Sequence, residues 1–423
     1  MPRFLHLSDV HLGLDRYDRP ERTKDFFLAF KDALEKYAIA PQVDFVLIAG
    51  DLFEQRNILP GTLNQAQICF EMLKEAGIPV LAIEGNHDNR PYGTKTSWLR
   101  YLADWGYLIL LEPDVDPLSG ETVYEPWTEE QGFGAYIDLA CGVRVMGSQW
   151  YGASAPQAIQ KIAAIIPQLP PGPKHTVMMF HHGLEGQIAR YTGALRYQDV
   201  LPLKQAGVDY LALGHIHKNY TVEGWIFNPG SVEANSIAEN RQQTPRGVYL
   251  VEMDETGIRA ELKQDYYQRP IVRLSLEATK QQTQAELVEL AIDRIQAAAA
   301  AKATQGAIAE LRISGQVGFN RLDLNVRELQ TQLHEISQAL IFMLKFDAIA
   351  AEYDTPIAVE GNQPPPRLEI ETQVFADLLA GNANYSQQPT QLAKRLIELK
   401  EQILDNQPEA DLYELAQDFL RAS

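Results

Sequence analysis

The sequence predicts an α/β fold for residues 1–267, a small α+β module for 268–358, and a linker with a helical tail for 359–423. Three observations predict it. Short apolar runs alternate with amphipathic stretches through the first part. Acidic, amide and histidine residues stand just after those runs, where open α/β sheets place their sites. Composition changes after Tyr266-Tyr267-Gln268-Arg269-Pro270.

Taken in order, Phe4–Leu7 reads as a strand, Glu21–Tyr37 as a helix, Phe45–Ala49 as a strand, Leu63–Ala76 as a helix and Val80–Ile83 as a strand. Thr62 before the second helix and Gly77 after it are the expected caps. Lys95–Trp105 has helical spacing, Tyr107–Leu111 is extended, and Phe133–Leu139 with Val143–Ser148 alternates as hairpin arms do. Ala155–Ile166 is helical, Thr176–Phe180 and Tyr210–Leu213 are buried strands, and Trp225–Asn228, Gly247–Glu252 and Gly257–Gln264 make a strand-rich end. Beyond Pro270 come a strand (Ile271–Leu276), a helix (Gln284–Ala301), a strand (Ile308–Ile313), a helix (Val326–Ala339) and a strand (Ile341–Phe346). Glu360-Gly361-Asn362-Gln363-Pro364-Pro365-Pro366 is a stiff connector. The tail sets Leu392, Leu396, Leu399 and Ile403 on one face, then Leu412, Leu415 and Phe419 on another. Such short helices need a surface to pack on.

A chain of 423 residues exceeds one ordinary core, and its 45% hydrophobic content suits a soluble globular protein. No window reaches the about 18 continuous apolar residues of a membrane span. Candidate ligands begin at Asp9, which leaves no room for a signal peptide, so a cytoplasmic location is expected. Cys69 and Cys141 lie in apolar periodic segments and read as reduced core residues. The 37 basic and 56 acidic residues give a net charge of −19, which repels nucleic acid at long range. Phosphate must therefore be attracted locally, by bound cations and a few arginines.

Five ordered motifs supply such a site: Asp9-Val10-His11, Gly50-Asp51, Gly85-Asn86-His87-Asp88, Phe180-His181-His182-Gly183 and Gly214-His215-Ile216-His217. On an extended segment residues i and i+2 project to one side, so Asp9 with His11, and His215 with His217, are each expected to converge. Two divalent ions need a bridging carboxylate, flanking imidazoles and oxygens, and a water to activate. Asp9, His11, Asp51 and His217 are assigned to the first ion, and Asp51, Asn86, His181 and His215 to the second. Nitrogen and oxygen ligands without thiolate suit manganese, iron or zinc; manganese is the expected ion, with iron, zinc and magnesium as alternatives. His181 is preferred to His182 because it ends the apolar run directly. His87 is placed to assist the departing oxygen, with Asp88 orienting it, while activated water attacks phosphorus in line. His6, His175 and His334 read as packing or surface residues.

At these motifs the chain resembles the calcineurin-like metallophosphoesterases, and within them the SbcD/Mre-eleven family of DNA repair nucleases. The likeness rests on His6-Leu7-Ser8-Asp9-Val10-His11-Leu12-Gly13, Ala49-Gly50-Asp51-Leu52-Phe53, Leu213-Gly214-His215-Ile216-His217-Lys218 and Asn228-Pro229-Gly230-Ser231-Val232-Glu233. It covers the chain to about Tyr267 and extends into the small module, which looks like that family's capping domain. The tail matches only in kind. The resemblance implies a four-layer α/β/β/α metallophosphoesterase sandwich and a manganese-dependent nuclease acting on DNA ends and hairpins in double-strand break repair. It also implies a homodimer, and a coiled-coil ATPase of the SbcC/Rad-fifty type gripped by the C-terminal helices. Such an ATPase supplies DNA-binding surface that an acidic chain lacks. One departure stands out: many relatives carry histidine after Gly-Asp-Leu-Phe, where this chain has Glu54, which bears on the balance of exonuclease and endonuclease activity. Arg16, Arg90 and Lys95, just beyond ligand loops, are candidate phosphate contacts. Two rival readings are a phosphodiesterase or phosphatase acting on small nucleotides or phosphoproteins, and a non-catalytic clamp on DNA ends or on the ATPase.

Overall fold

A computed structural model describes residues 1–91, 93–94, 96–115, 120–187, 194–239, 245–350, 367–380, 385, 387–404, 412 and 417. Its contacts divide the chain into two units, Met1–Arg269 and Pro270–Ser423.

In the first unit β1 (Arg3–Leu7), β2 (Phe45–Ala49), β3 (Val80–Ile83) and β4 (Ile109–Leu110) run parallel, joined through α1 (Pro20–Leu34), α2 (Pro60–Glu75) and α3 (Trp98–Asp104). A short ribbon, β5 (Asp114–Val115) with β6 (Thr122–Val123), follows. The second sheet holds the hairpin β7 (Tyr136–Leu139) and β8 (Val143–Met146), then β9 (His175–Phe180), β10 (Tyr210–Leu213), β11 (Tyr220–Val222) and β12 (Ile226–Asn228), with α4 (Ala155–Ile165) and α5 (Tyr197–Gln205). The chain then returns to the first sheet as β13 (Val248–Asp254) and β14 (Gly257–Lys263), which makes the strand orders β14-β13-β1-β2-β3-β4 and β11-β12-β10-β9-β8-β7.

Central strands buried on both faces are apolar throughout, as β2 and β3 are. Between the sheets Phe4, Phe45, Leu47 and Ile83 meet Val145, Val177, Met179 and Tyr210. Phe4 stacks on Phe45 at 4.7 Å and meets the edge of Tyr210 at 5.3 Å. Helices α1, α2 and α3 cover the outer face of one sheet and α4 and α5 that of the other, so the layers run α/β/β/α. His6 ties the sheets together: the Tyr210 hydroxyl lies 2.9 Å from Nδ1 and the Leu213 carbonyl 3.1 Å from Nε2. Burial pushes its pKa down to about 3, so it is a neutral core residue.

Local differences from the sequence reading have local causes. Helix α2 starts at Pro60, because proline lacks the N–H that a first helical residue does not need, and Thr62 lies inside the first turn instead of capping it. Helix α3 begins only at Trp98, where the Ser97 hydroxyl accepts the Arg100 N–H at 3.1 Å. Helix α5 was not foreseen, since Pro202 stands within it. Its N-terminal end is held by Asp199, which accepts the Arg196 N–H at 2.9 Å. The Gly-Ser-Val-Glu string proves structural in part. Glu233 accepts the N–H groups of Ala234 and Arg269, while buried Arg22 and Asp25 pair at 2.7 Å, and Asp25 also takes Tyr267 and Arg269. This network locks the end of the unit against α1.

The second unit has a sheet of β15 (Ile271–Ala278), β16 (Ile308–Val317) and β17 (Ile341–Phe346), with β18 (Ile349–Ala350) paired to β16, all parallel. Helices α6 (Gln284–Ala300) and α7 (Val326–Ser337) pack on it through Leu287, Ala291, Ile295, Leu329 and Leu333. Thr283 and Glu286 form a reciprocal capping box at the start of α6. In the tail α8 (Arg367–Ala380), which was not foreseen, packs against α9 (Pro389–Leu404) through Ala376, Leu379, Leu392 and Ala393. The proline connector, Leu415 and Phe419 lie outside the described residues. Among the described residues no helix is long and apolar enough to cross a membrane.

Candidate metal centre

The candidate ligands follow the C-terminal ends of β1, β2, β3, β9 and β10, and their loops are held in costly backbone conformations. Asp9 (φ 53°), His11 (φ 50°), Asp51 (φ 53°) and His215 (φ 80°) are all left-handed non-glycine residues, each costing roughly 1–2 kcal/mol. Such strain is characteristic of functional sites. It also corrects the argument from strand pleat. These residues lie past the strands, where a left-handed turn redirects each side chain, so His215 and His217 do not converge as alternate residues of a strand would. Glycines make room for the approach: a Cβ on Gly85 would sit 2.1 Å from Asp51 Oδ1, and one on Gly50 would sit 2.3 Å from His181 Nδ1.

Among the described residues the expected ligands fall into two clusters, and His11 also lies close to Glu54 and His87. In the first, His11 Nε2 and His217 Nε2 face each other at 3.1 Å, with Asp9 Oδ1 at 3.9 and 3.6 Å from them. In the second, His181 Nε2 lies 3.1 Å from Asp51 Oδ2 and 3.2 Å from Asn86 Oδ1, and His215 Nδ1 lies 2.8 Å from the same Asn86 oxygen. Pairs of ring nitrogens brought together with carboxylate and amide oxygens fit ions held at about 2.1 Å, since such ligand atoms stand near 3 Å from one another. The Asp9 carboxylate also accepts the His215 N–H at 3.0 Å, which links the two loops. Asn228 donates to the Ile216 and Lys218 carbonyls at 2.7 and 2.9 Å and clamps the His215–His217 loop.

His87 stands beside the first cluster, its ring centre 5.0 Å from that of His11. Its backbone N–H donates to Asp51 Oδ1 at 2.9 Å, and its Nδ1 lies 2.8 Å from the Glu54 carbonyl. Asp88 does not orient it. The buried Asp88 carboxylate instead accepts the N–H groups of Leu52 (2.6 Å), Phe53 (3.4 Å) and Gly85 (2.7 Å), tying the two ligand loops together. Unpaired loop amides take up a buried carboxylate more effectively than one neighbouring ring can. His182 also turns away from the ligand cluster: its nitrogens lie 3.2 Å from the Gly183 and Gly152 carbonyls, and it stacks on Trp150.

Burial alone would raise Asp51, yet the imidazoles of His181, His11 and His87 hold it well below the usual carboxylate range. Burial would lower His181 and His217, but the Asp51 charge raises the former to about 9, and a hydrogen bond to Glu239 with the Asp9 charge raises the latter to about 9. Burial and the nearby His181 push His215 down to about 3. Burial and the Asp51 charge push Asp88 up to about 7.

Of the expected phosphate contacts, Arg16 is exposed in the turn after the first motif, Arg90 pairs with Glu112 at 3.2 Å, and Lys95 lies outside the described residues. Three participants escaped the sequence reading. Trp150 walls the second cluster, 5.4 Å from His215 and 5.8 Å from His181. Glu239 sits 2.9 Å from His217 Nδ1 in a stretch without periodic signal. Glu54, noted only as a departure, lies 2.7 Å from His11 Nδ1.

The sequence pattern of the calcineurin-like phosphoesterases matches residues 2–219, which carry all the clustered ligands. The chain belongs to that family. Among its relatives, it is 32% identical to the DNA double-strand break repair protein Mre11 of Archaeoglobus fulgidus over 245 residues, 56% of this chain and 51% of that protein. It is 28% identical to the protein of the same name from Methanosarcina acetivorans over 261 residues, 60% of this chain and 37% of that one. It is also 26% identical to the uncharacterized metallophosphoesterase YhaO of Bacillus subtilis over 270 residues, 62% and 59%. The chain thus spans about half the length, or less, of the two repair proteins.

Proposed function

We propose that the protein is a metal-dependent nuclease that hydrolyses DNA phosphodiester bonds at ends and hairpins in double-strand break repair. The observation that carries this is the meeting of Asp9, His11 and His217 beside Asp51, Asn86, His181 and His215, with His87 at their margin. Family membership and the named repair relatives support it. Asp9, His11 and His217 would hold one divalent ion and Asn86, His181 and His215 the other, with Asp51 between them; manganese is the ion we favour. Bound there, the ions supply charge neutralisation at phosphorus and ready ionisation of water. His87, fixed through Nδ1 by the Glu54 carbonyl, offers Nε2 to protonate the leaving oxygen. Asp88 keeps the loops of Asp51 and His87 in register.

The second unit would serve as a capping module and the tail as the grip for a coiled-coil ATPase of the SbcC/Rad-fifty type, with the protein acting as a homodimer. On α8, Ile370, Val374 and Leu378 recur every fourth residue and are exposed, which supports a partner-binding stripe. The test is digestion of linear duplex and hairpin DNA by the purified protein with and without manganese, beside cyclic nucleotides. Manganese-dependent DNA cleavage is expected; turnover of cyclic nucleotides without DNA cleavage would establish the small-nucleotide phosphodiesterase reading instead. Truncation after Pro366 should abolish co-purification with the ATPase and leave nicking intact.

A further inference from the structure

The two histidines of the first cluster are each backed by a carboxylate that none of the ligand motifs contains. His11 turns Nε2 toward His217 and Nδ1 toward Glu54, whose Oε2 lies 2.7 Å away. The His11 ring is fully buried; its Nδ1 and Glu54 Oε2 meet as an ion-pair contact without hydrogen-bond alignment, and His87 Nδ1 stands 3.8 Å from the same oxygen. His217 repeats the arrangement with Glu239 Oε1 at 2.9 Å, and Glu239 is steadied by the Asn235 N–H at 2.9 Å. The second cluster is built otherwise. His181 Nδ1 faces a neutral acceptor, the Ala49 carbonyl, at 2.7 Å, while the nitrogen that His215 turns into the cluster is Nδ1, beside the Asn86 amide oxygen.

An imidazole that binds an ion through Nε2 keeps its proton on Nδ1. A carboxylate accepting that proton fixes the ring and raises the basicity of the ligand nitrogen, and losing such a partner costs roughly 10- to 100-fold in metal affinity. A backbone carbonyl fixes the ring but brings no charge. The first position therefore collects Asp9, Glu54 and Glu239 around its histidines, whereas the second has the shared Asp51 and neutral Asn86.

We propose that Glu54 and Glu239 are positioning residues that make the pocket of Asp9, His11 and His217 the tighter of the two ion positions, so that the ions load in sequence. This rests on the two-ion reading above. Glu54 is well suited to a test, because its backbone carbonyl holds His87 Nδ1 at 2.8 Å whereas its carboxylate stands off at 3.8 Å. A side-chain substitution leaves that bond in place.

The experiment is a manganese titration of the full chain, counting free ion by its electron paramagnetic resonance signal and heat by calorimetry. Wild-type protein should bind two ions with affinities at least about tenfold apart. Glu54→Gln and Glu239→Gln, which match the native side chains in size, should each weaken the tighter ion roughly 10- to 100-fold and leave the weaker one unchanged. Glu54→Asp, which keeps the charge, should recover part of the loss, and Asn86→Ala should weaken only the second ion. Titrations of both glutamine variants that superimpose on wild type, or that lose only the weaker ion, overturn the proposal while the two-ion reading stands. Wild-type protein binding fewer than two ions overturns that reading and the proposal with it.

Discussion

Replacing His87 by alanine separates leaving-group assistance from ion binding. The His87 backbone N–H, not the ring, donates to Asp51, so the substitution leaves the ligand loop bonded at 2.9 Å. The side chain is 38% exposed, and its loss should change folding stability by about 1 kcal/mol or less. If Nε2 protonates the departing oxygen, its removal lowers the rate roughly 10²- to 10⁴-fold, which is about 2.7–5.4 kcal/mol of barrier. The magnitude must depend on the leaving group. The DNA alkoxide needs that proton, whereas p-nitrophenolate leaves nearly unaided. The assay therefore pairs duplex DNA with bis(p-nitrophenyl) phosphate at saturating manganese. DNA cleavage should fall within the stated range, while the activated ester loses less than about tenfold. Equal losses on both substrates with normal ion binding would refute the acid role, as would undiminished DNA cleavage.

Three further outcomes are expected. His181 and His217, raised to about 9 in the metal-free protein, must each give up a proton to an ion, so manganese affinity should climb up to about tenfold per pH unit per proton and level off near pH 9. Their pKa values are raised on folding, so the stability they lend the metal-free fold is full below about pH 6.5 and lost as pH rises through about 9; melting after chelation should fall over that window, and a flat pH dependence of both quantities would contradict the pairing. Gly85→Ala places a methyl 2.1 Å from Asp51 Oδ1, so manganese binding should drop by more than about a hundredfold, several kcal/mol of displaced ligand; normal stoichiometry by calorimetry would show that the loop yields. Asp88→Asn turns an amide NH₂ toward backbone N–H donors, and each stranded buried donor costs about 1–3 kcal/mol, so the melting temperature should fall even with manganese bound. An unchanged melting temperature would deny Asp88 its part in joining the loops.

Much of the catalytic unit was legible in the sequence because both of its signals are local. An apolar run such as Phe45–Ala49 reads as a buried strand whatever surrounds it, and a glycine and aspartate placed directly after it mark the strand's end as a site. The same holds for Val80–Ile83 before Asn86 and for Tyr210–Leu213 before His215. Helix α8 was less legible, because exposed Ile370, Val374 and Leu378 add apolar residues outside the face that it turns to α9. The rings that meet, His11 with His217 and His181 with His215, are those the ligand assignment from the motifs had grouped, but the backbone that brings them together was not legible. His11 and His217 are 206 positions apart; Asp9 and His11 come together as expected, whereas His215, with its left-handed backbone, parts from His217 against the projection that strand alternation predicts.

The sequence by itself determined the order of most strands and helices, the class of ligand atoms and the strand ends that carry them, since these follow from hydrophobic periodicity and side-chain chemistry. Only the tertiary structure decided that Asp88 binds loop amides in place of His87, that Trp150 walls the second cluster, and that Glu54 and Glu239 stand behind the first pair of histidines. The reason is physical: a hydrogen bond or an ion pair is settled within about 3 Å, and distances on that scale between remote loops exist only once two sheets have packed face to face.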